Sequence, residues 1–143
     1  EYGKSTLNLA KEISLKSRAI IYRPSDNKIV LCNYAGIYLL PGGKIDKNEN
    51  PLDAVKREVE EETGITGIEL GDHIGNTYHI FKTLKSGNYF LKKTYWFKMK
   101  ALKQPVKVQK EEDIDEALWL SIPTFIKKCK PIYNNILDII GKV

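Results

Sequence analysis

The sequence predicts an α/β protein in which a mixed sheet lies between layers of helices. Short apolar runs precede and follow one strongly polar helix, a long alternating strand comes later, and an amphipathic helix closes the chain. Because strands occur on both sides of the central helix, the simplest arrangement packs helices on both faces of one sheet. With 143 residues, the chain is long enough for one domain with a substantial core.

The N-terminal boundary of this domain is the least regular part of the pattern. Residues 1–16 mix apolar and polar side chains without a clear period, so a short helix and a poorly ordered tail both fit. We therefore predict a lead-in over residues 1–16 and a single domain over residues 17–143. The first residue is Glu rather than Met, which is compatible with a processed or excised piece of a longer chain.

The other elements are predicted from alternation, turn residues and helical spacing. The longest strand candidate alternates cleanly, with Phe97 and Met99 on one face and Thr94 and Trp96 on the other. The first face is expected to join the core, while the second lines either a ligand groove or a solvated surface with one packed Trp. The predicted strands are Ser17–Arg23, Lys28–Asn33, Ile37–Leu40, Ile68–Leu70, Tyr78–Leu84, Tyr89–Leu102 and Ala117–Leu120, and a last helix opens at Ile122 and is interrupted by Pro131.

The central helix is predicted between Asn50 and Gly64, because both of its ends carry capping residues. Asn50 is a favourable N-cap, and Pro51 suits the first helical position, where no N–H is needed. Gly64 suits the C′ position, which requires a left-handed backbone conformation. Val55 and Val59 lie on one narrow apolar face, which is expected to pack on the sheet.

Three glutamates lie together on the neighbouring face of this helix. Glu58, Glu61 and Glu62 follow the i, i+3 and i+4 spacing, so their like charges destabilise an isolated helix. Arg57 offsets only part of this repulsion by pairing with Glu61. A divalent cation would remove it, because carboxylate oxygens are ligands that Mg²⁺ prefers. Glu62 borders the apolar face beside Val55 and is expected to be partly buried. A solvated acidic helix edge is the alternative.

The segment from Gly43 to Ile65 resembles the Nudix box at every defined position. Gly43 and Glu49 are followed at the family's spacing by the string REVEEETGI, which begins at Arg57. A pattern spread over 23 residues is far more specific than an isolated glycine-rich loop. The resemblance implies the Nudix fold, an α/β/α sandwich with a mixed central sheet.

The resemblance also implies a pyrophosphohydrolase, which splits a P–O–P bond in a nucleoside diphosphate linked to another group. It implies that Mg²⁺ or Mn²⁺ is bound by Glu58, Glu61 and Glu62. By the same resemblance, Glu49 supports the catalytic site from the loop, and Arg57 orients a glutamate. Such metal ions neutralise phosphate charge and acidify a bound water, and one glutamate takes the proton.

Additional metal ligands are predicted outside the helix. The backbone of Gly43 is one candidate. Glu112 and Asp113 are two more, because they follow the long strand in the region where such sites often gain another carboxylate. A purely structural acidic loop is the alternative for Glu112 and Asp113.

Three residues are candidate substrate contacts. Arg23 ends a predicted strand and Lys44 follows the glycine pair, so both are placed to meet a phosphate, although a solvated charge is the alternative for each. Phe81 lies closest to the tyrosine that many diadenosine polyphosphate hydrolases carry after the box. The proline typical of ADP-ribose-specific members is absent between Thr66 and Gln104.

The charge distribution favours an anionic ligand. From His73 to Lys110 the chain has nine lysines and no Asp or Glu, which suits a dinucleoside polyphosphate or an inositol pyrophosphate. Solubility or non-specific attraction to nucleic acid would give the same pattern. Nucleic acid is nevertheless not expected as a partner, because no recognised binding motif is present.

The expected setting is the cytoplasm, and the expected partner is a phosphorylated small molecule. Cys32 and Cys129 show no metal-ligand spacing, which favours free thiols in a reducing compartment over one disulfide. No apolar run is long enough to span a membrane, and a homodimer is compatible with the sequence. The alternative function is a Nudix-fold domain that senses a nucleotide without turnover, although such domains are expected to lose glutamates that this chain keeps.

Overall fold

The computed structural model describes residues 10–102, 104–107, 114–128 and 134–142. Within these residues, seven strands form one mixed sheet and three helices pack around it. The strands are β1 (Ala10–Arg23), β2 (Lys28–Tyr34), β3 (Ile37–Leu39), β4 (Gly42–Lys44), β5 (Glu69–Lys82), β6 (Tyr89–Lys100) and β7 (Glu116–Leu120). The helices are α1 (Pro51–Thr63), α2 (Ile122–Lys128) and α3 (Asn134–Ile140).

The sheet is organised around the parallel pair β1 and β6. The main strand order is β3-β2-β1-β6-β5, with β7 pairing with β2 and β4 pairing with β1. On its second edge, β1 pairs with β2 only at Tyr22 and Arg23, and it pairs with β4 over Lys16 to Arg18. The middle of β1 therefore pairs with β4, which brings the loop before α1 next to the centre of the sheet.

Both faces of the sheet are covered, which confirms the predicted α/β class. Ala19 and Ile21 of β1 pack in the cluster that includes Val55 and Val59 of α1. Ile20 lies on the opposite face, where its cluster includes residues from β2, β6, α2 and α3. Burying a valine contributes roughly 1.5–3 kcal/mol, whereas a like-charge pair on a helix costs only about 0.2–0.5 kcal/mol. The packing of α1 therefore outweighs the repulsion among its glutamates.

The structure corrects the predicted start of the first strand. β1 begins at Ala10 rather than Ser17, because β6 pairs with it along almost its whole length. Ile13 and Leu15 are 63% and 38% exposed, so these apolar side chains do not join the core, and pairing with β6 rather than burial makes this segment a strand. Residues 10–16 of the predicted lead-in thus belong to the sheet, and residues 1–9 lie outside the described residues.

Two further predictions differ from the structure. The segments predicted around Ile68 and Tyr78 are one strand, β5, whose pairing with β6 shifts register on both sides of His73. Trp96 of β6 is buried, as the solvated-surface alternative with one packed Trp expected, but Thr94 is buried as well and is not solvated. The predicted interruption at Pro131 lies outside the described residues. None of the described helices is long and apolar enough to cross a membrane.

Candidate active site

The boundaries of α1 are confirmed by the capping geometry. Asn50 has an extended backbone, with φ −85° and ψ 162°, and its Oδ1 accepts a hydrogen bond from the N–H of Asp53 at 2.8 Å. Gly64 adopts the left-handed conformation at φ 69°, and its N–H donates to the carbonyl of Glu60 at 3.0 Å. Local capping thus determines where the glutamate-bearing helix begins and ends.

Two glycines allow α1 and the sheet to approach closely. Gly42 has φ 146°, and a Cβ at this position would collide with the carbonyl of Ser17 and the side chain of Arg18. A Cβ on Gly43 would lie 2.7 Å from the carboxyl carbon of Glu58. Ser17 also donates its hydroxyl to the carbonyl of Pro51 at 2.6 Å, so the start of α1 is joined to β1. The glycine pair is therefore required by the space that Glu58 and β1 occupy.

Arg57 connects the loop to the glutamates of the helix. Its Nε and one terminal nitrogen donate to the two oxygens of Glu49, at 2.9 and 3.0 Å. Its other terminal nitrogen donates to Oε1 of Glu58 at 2.9 Å and lies 3.6 Å from Glu61. The hydrogen bond from Arg57 lowers the pKa of Glu49 to about 2. The predicted partner of Arg57 was Glu61, but the shorter contacts are to Glu49 and Glu58.

Glu62 is the most buried carboxylate of the helix, with only 2% of the residue exposed. Its Oε2 accepts from the hydroxyl of Tyr34 at 3.0 Å and from Sγ of Cys32 at 3.7 Å. Its Oε1 accepts from the N–H of Gly42 at 3.4 Å. Burial raises the pKa of Glu62 to about 7, and Glu58 adds to this rise, while the hydrogen bond from Tyr34 opposes it.

Sequence reasoning missed Tyr34 and Cys32 as partners of Glu62. They alternate with buried Val30 along β2 and therefore face α1, which is the one signal that could have identified them. Burial is the main reason why the pKa values of both groups are raised, so Cys32 stays a neutral thiol and a hydrogen-bond donor. Cys32 is free, and Cys129 lies outside the described residues.

The carboxylates of α1 suit a hard divalent cation by their chemistry. Glu58 is close enough to raise the pKa of Glu62, and a cation between the two carboxylates would relieve this repulsion. Within the described residues, no three His, Cys, Asp or Glu side chains form a cage for a metal. The predicted set of Glu58, Glu61 and Glu62 is therefore not assembled as a three-carboxylate cage. Mg²⁺ usually takes one or two carboxylates and completes its shell with waters and substrate phosphates. The predicted ligands Glu112 and Asp113 lie outside the described residues.

The candidate substrate contacts are dispersed. Arg23 forms a bidentate ion pair with Asp26, and its guanidinium lies 4.7 Å from the ring centre of Trp119. It stands five residues beyond Arg18 on β1, roughly 17 Å along the strand, so the structure does not bring Arg23 to the glutamates. Lys44 is exposed on β4, and its carbonyl accepts from Arg57 at 3.2 Å.

Phe81 lies in an aromatic row on β5 and β6. Its ring stacks on Phe90 with the centroids 5.6 Å apart, and on His79 at 6.2 Å. Phe81 remains 38% exposed, while His79 and Phe90 are half-buried. We name Phe81, Phe90 and His79 the aromatic row.

The fold and the site together define an α/β protein with a mixed sheet and a carboxylate-rich helix. The model of the NUDIX domain matches residues 15–138, and the chain therefore belongs to the Nudix family. As an enzyme it is a Nudix pyrophosphohydrolase.

Three similar proteins illustrate this relationship. The chain is 68% identical to an RNA pyrophosphohydrolase of Bartonella henselae over 31 residues, which are 22% of this chain and 18% of that protein. It is 29% identical to an RNA pyrophosphohydrolase of Pelagibacter ubique over 116 residues, 72% of this chain and 73% of that protein. A crystal structure of a MutT NUDIX hydrolase from Burkholderia pseudomallei superposes with a TM-score of 0.62 at 25% identity, covering 92% of this chain and 98% of that one.

Proposed function

We propose that this chain hydrolyses a pyrophosphate bond of a nucleotide-type polyphosphate, with Mg²⁺ or Mn²⁺ bound at the carboxylates of α1. The observation that carries the proposal is the constrained pair of Glu58 and Glu62. Arg57 holds the first carboxylate, while Tyr34 and Gly42 hold the second. Two adjacent acidic groups with their oxygens fixed by separate donors are suited to bind a cation rather than to remain an unpaired charge cluster.

The residues of the chain have distinct roles in this proposal. Glu58 and Glu62 would supply carboxylate oxygens to the metal, with Glu61 beside them on the same helix, and the metal when bound neutralises phosphate charge and acidifies the attacking water. Arg57 keeps Glu58 in place and, through Glu49, fixes the preceding loop to the helix. The proton of the water would pass to one of the three carboxylates. Glu61 is the most accessible of them, with 31% of its side chain exposed.

The aromatic row supports a nucleotide over an inositol pyrophosphate. Every nucleobase offers a π-face that stacks on an exposed aromatic ring, and this is worth about 1–3 kcal/mol per base. An inositol ring offers no such face. Two similar proteins are RNA pyrophosphohydrolases, so the 5′-polyphosphate end of an RNA joins the dinucleoside polyphosphates as a candidate substrate.

The cellular compartment and the oligomeric state are further parts of the proposal. A reducing compartment such as the cytoplasm suits the free buried thiol of Cys32. A homodimer is compatible with the chain, and the molar mass in solution tests it. The substrate is proposed to be a small phosphorylated molecule or the end of a nucleic-acid chain, because the site extends over only a few residues of α1 and the sheet.

The test is a metal-supplemented substrate screen with matched variants. The chain is incubated with Mg²⁺ or Mn²⁺ and with 5′-triphosphorylated RNA, a dinucleoside polyphosphate, nucleoside triphosphates, ADP-ribose or an inositol pyrophosphate. We expect hydrolysis of a nucleotide polyphosphate. The hydrolytic activity should fall at least 100-fold in Glu58→Gln and in Glu62→Gln. Glu60→Gln is the control, since Glu60 lies exposed on the same helix. It should keep full activity.

Two results would contradict the proposal. Full activity in both Glu58→Gln and Glu62→Gln would mean that the catalytic site lies elsewhere. Tight binding of a nucleotide without turnover, in Mg²⁺ and in Mn²⁺, would identify a sensing domain instead of an enzyme.

A further inference from the structure

Three cationic side chains lie on the face of the sheet that points away from α1. Ala19 and Ile21 face α1, so the alternation of β1 turns Lys16 and Arg18 to the other face. Lys16 pairs across the sheet with Thr94 of β6, and Lys92 lies two positions before Thr94. Directly paired residues project to the same face, and so do residues two apart on one strand. Lys16, Arg18 and Lys92 therefore form one group, which we call the cationic row.

The three side chains of the cationic row are partly buried. None of the ion pairs among the side chains that the structure describes involves Lys16 or Lys92. Burial and the charge of Arg18 lower the pKa values of both lysines. Arg18 is held in place, since one of its terminal nitrogens donates to the carbonyl of Leu40 at 2.6 Å. An anion bound here would relieve the repulsion that the three side chains experience.

The row borders the carboxylates of α1. Arg18 lies against Gly42, whose N–H donates to Glu62, and the charge of Arg18 opposes the rise in the pKa of Glu62. Lys16 is influenced in turn by the charge of Glu58. The cationic row and the carboxylates of α1 therefore lie close together, next to β4.

The aromatic row continues the same face beyond the cations. Phe90 is two positions before Lys92 on β6, and it pairs directly with Phe81. At about 3.3 Å per residue, the distance from Thr94 to Phe90 along the strand is roughly 13 Å. The order of groups is carboxylates, cations and aromatic rings, which matches the order of scissile phosphate, further phosphates and base in a nucleoside polyphosphate.

We propose that Lys16, Arg18 and Lys92 bind the phosphates of the substrate that lie beyond the scissile bond, and so select long polyphosphates over diphosphates. This inference rests on the proposed function and extends it to residues outside the Nudix box. A hydrogen bond to a charged group is worth about 1.5–3 kcal/mol, so removing a lysine that contacts a phosphate should weaken binding of the polyphosphate tenfold or more. A diphosphate, which is too short to reach the row, should be bound equally well without it.

The first test measures binding without catalysis. Inorganic tripolyphosphate is titrated into the protein by calorimetry, with a chelator present to remove divalent metals. We expect the dissociation constant to rise at least tenfold in Lys16→Gln and in Lys92→Gln, and to change less than threefold in Lys92→Arg, which keeps the charge. Lys98→Gln is the matched control, because Lys98 lies on the same strand and face at its other end, over the ring of Tyr22. Circular dichroism confirms that each variant is folded.

The second test measures selectivity with nucleoside di-, tri- and tetraphosphates. In Lys16→Gln and Lys92→Gln, KM for the tetraphosphate should rise at least tenfold, while kcat and the KM for the diphosphate change less than threefold. Unchanged tripolyphosphate binding in both variants would overturn the inference. Turnover that fails in the wild type, together with tripolyphosphate binding that is lost in the variants, would refute the proposed function and leave the cationic row as an anion site.

Discussion

The contact between Tyr34 and Glu62 yields a prediction that separates a hydrogen bond to a charge from simple packing. The hydroxyl of Tyr34 is 3.0 Å from Oε2 of a carboxylate that is almost completely buried. Tyr34→Phe removes this oxygen and keeps the ring. The carboxylate then retains the weaker donors Cys32 and Gly42, at 3.7 and 3.4 Å.

The magnitude depends on whether Glu62 is ionised. A hydrogen bond to a charged group contributes about 1.5–3 kcal/mol, and one to a neutral group only about 0.5–1.5 kcal/mol. At pH 8 we therefore expect Tyr34→Phe to lower the free energy of unfolding by roughly 2 kcal/mol. For a chain of this size, that lowers Tm by about 4–8 °C.

The sign of the pH dependence is set by the pKa of Glu62. Burial raises this pKa to about 7 from the ordinary 4.5, so the folded state holds the proton more strongly than the unfolded state. Stability of the metal-free protein should therefore fall between pH 4.5 and pH 7. Above pH 7 the folded carboxylate is ionised, and Tyr34→Phe costs most there. At pH 5 it carries a proton, and the cost should drop below roughly 1 kcal/mol.

The assay is denaturant unfolding of the wild type and Tyr34→Phe at pH 5 and pH 8, with a chelator present. Tyr78→Phe serves as the control, because Tyr78 is exposed on β5, and its effect should be within about 0.5 kcal/mol at both pH values. An equal loss at pH 5 and pH 8 would refute the reasoning, since it would show that the ring environment rather than the ionised carboxylate is responsible. No loss at either pH would refute the contact itself.

Two other predictions concern the loop and its junction with α1. In Gly43→Ala, the new Cβ would lie 2.7 Å from the carboxyl carbon of Glu58. We expect kcat to fall at least tenfold and the free energy of unfolding by about 1–3 kcal/mol, and unchanged kcat would show that the position of Glu58 is not critical. Arg57 lowers the pKa of Glu49 to about 2, so the stability from this pair is complete above pH 4.5 and is lost as pH falls toward 2. Glu49→Gln should flatten the acid limb of the stability curve, and an unaltered limb would contradict the pairing.

Much of the helix and its chemistry was predictable because the relevant signals are local. Asn50 and Gly64 cap a helix through groups a few residues away, and both ends lie where the capping rules place them. The burial of Glu62 followed from its angular position beside Val55. The α/β class followed from the order of alternating and helical segments, and it is confirmed by the sheet and its two core clusters.

The missed features depend on contacts between distant segments. The early half of β1 has a mixed pattern, and its pairing with β6 makes it a strand nevertheless. Thr94 lies on the face that was predicted to be a groove or a solvated surface with one packed Trp, yet it is buried. The packed residue, Trp96, lies in the core cluster that includes residues of α2 and α3. Tertiary contacts override local propensity at such positions, and no short window of sequence contains them.

The sequence by itself determined the carboxylate-bearing helix, since the spacing of Glu58, Glu61 and Glu62 and the two caps are properties of one continuous segment. Only the tertiary structure decided the surroundings of that helix. It brought Tyr34 and Cys32 to Glu62, and it aligned Lys16 with Lys92 through the parallel pair β1 and β6. The physical reason is that burial and charge coupling act between atoms that are close in space, and here those atoms come from strands far apart in the chain.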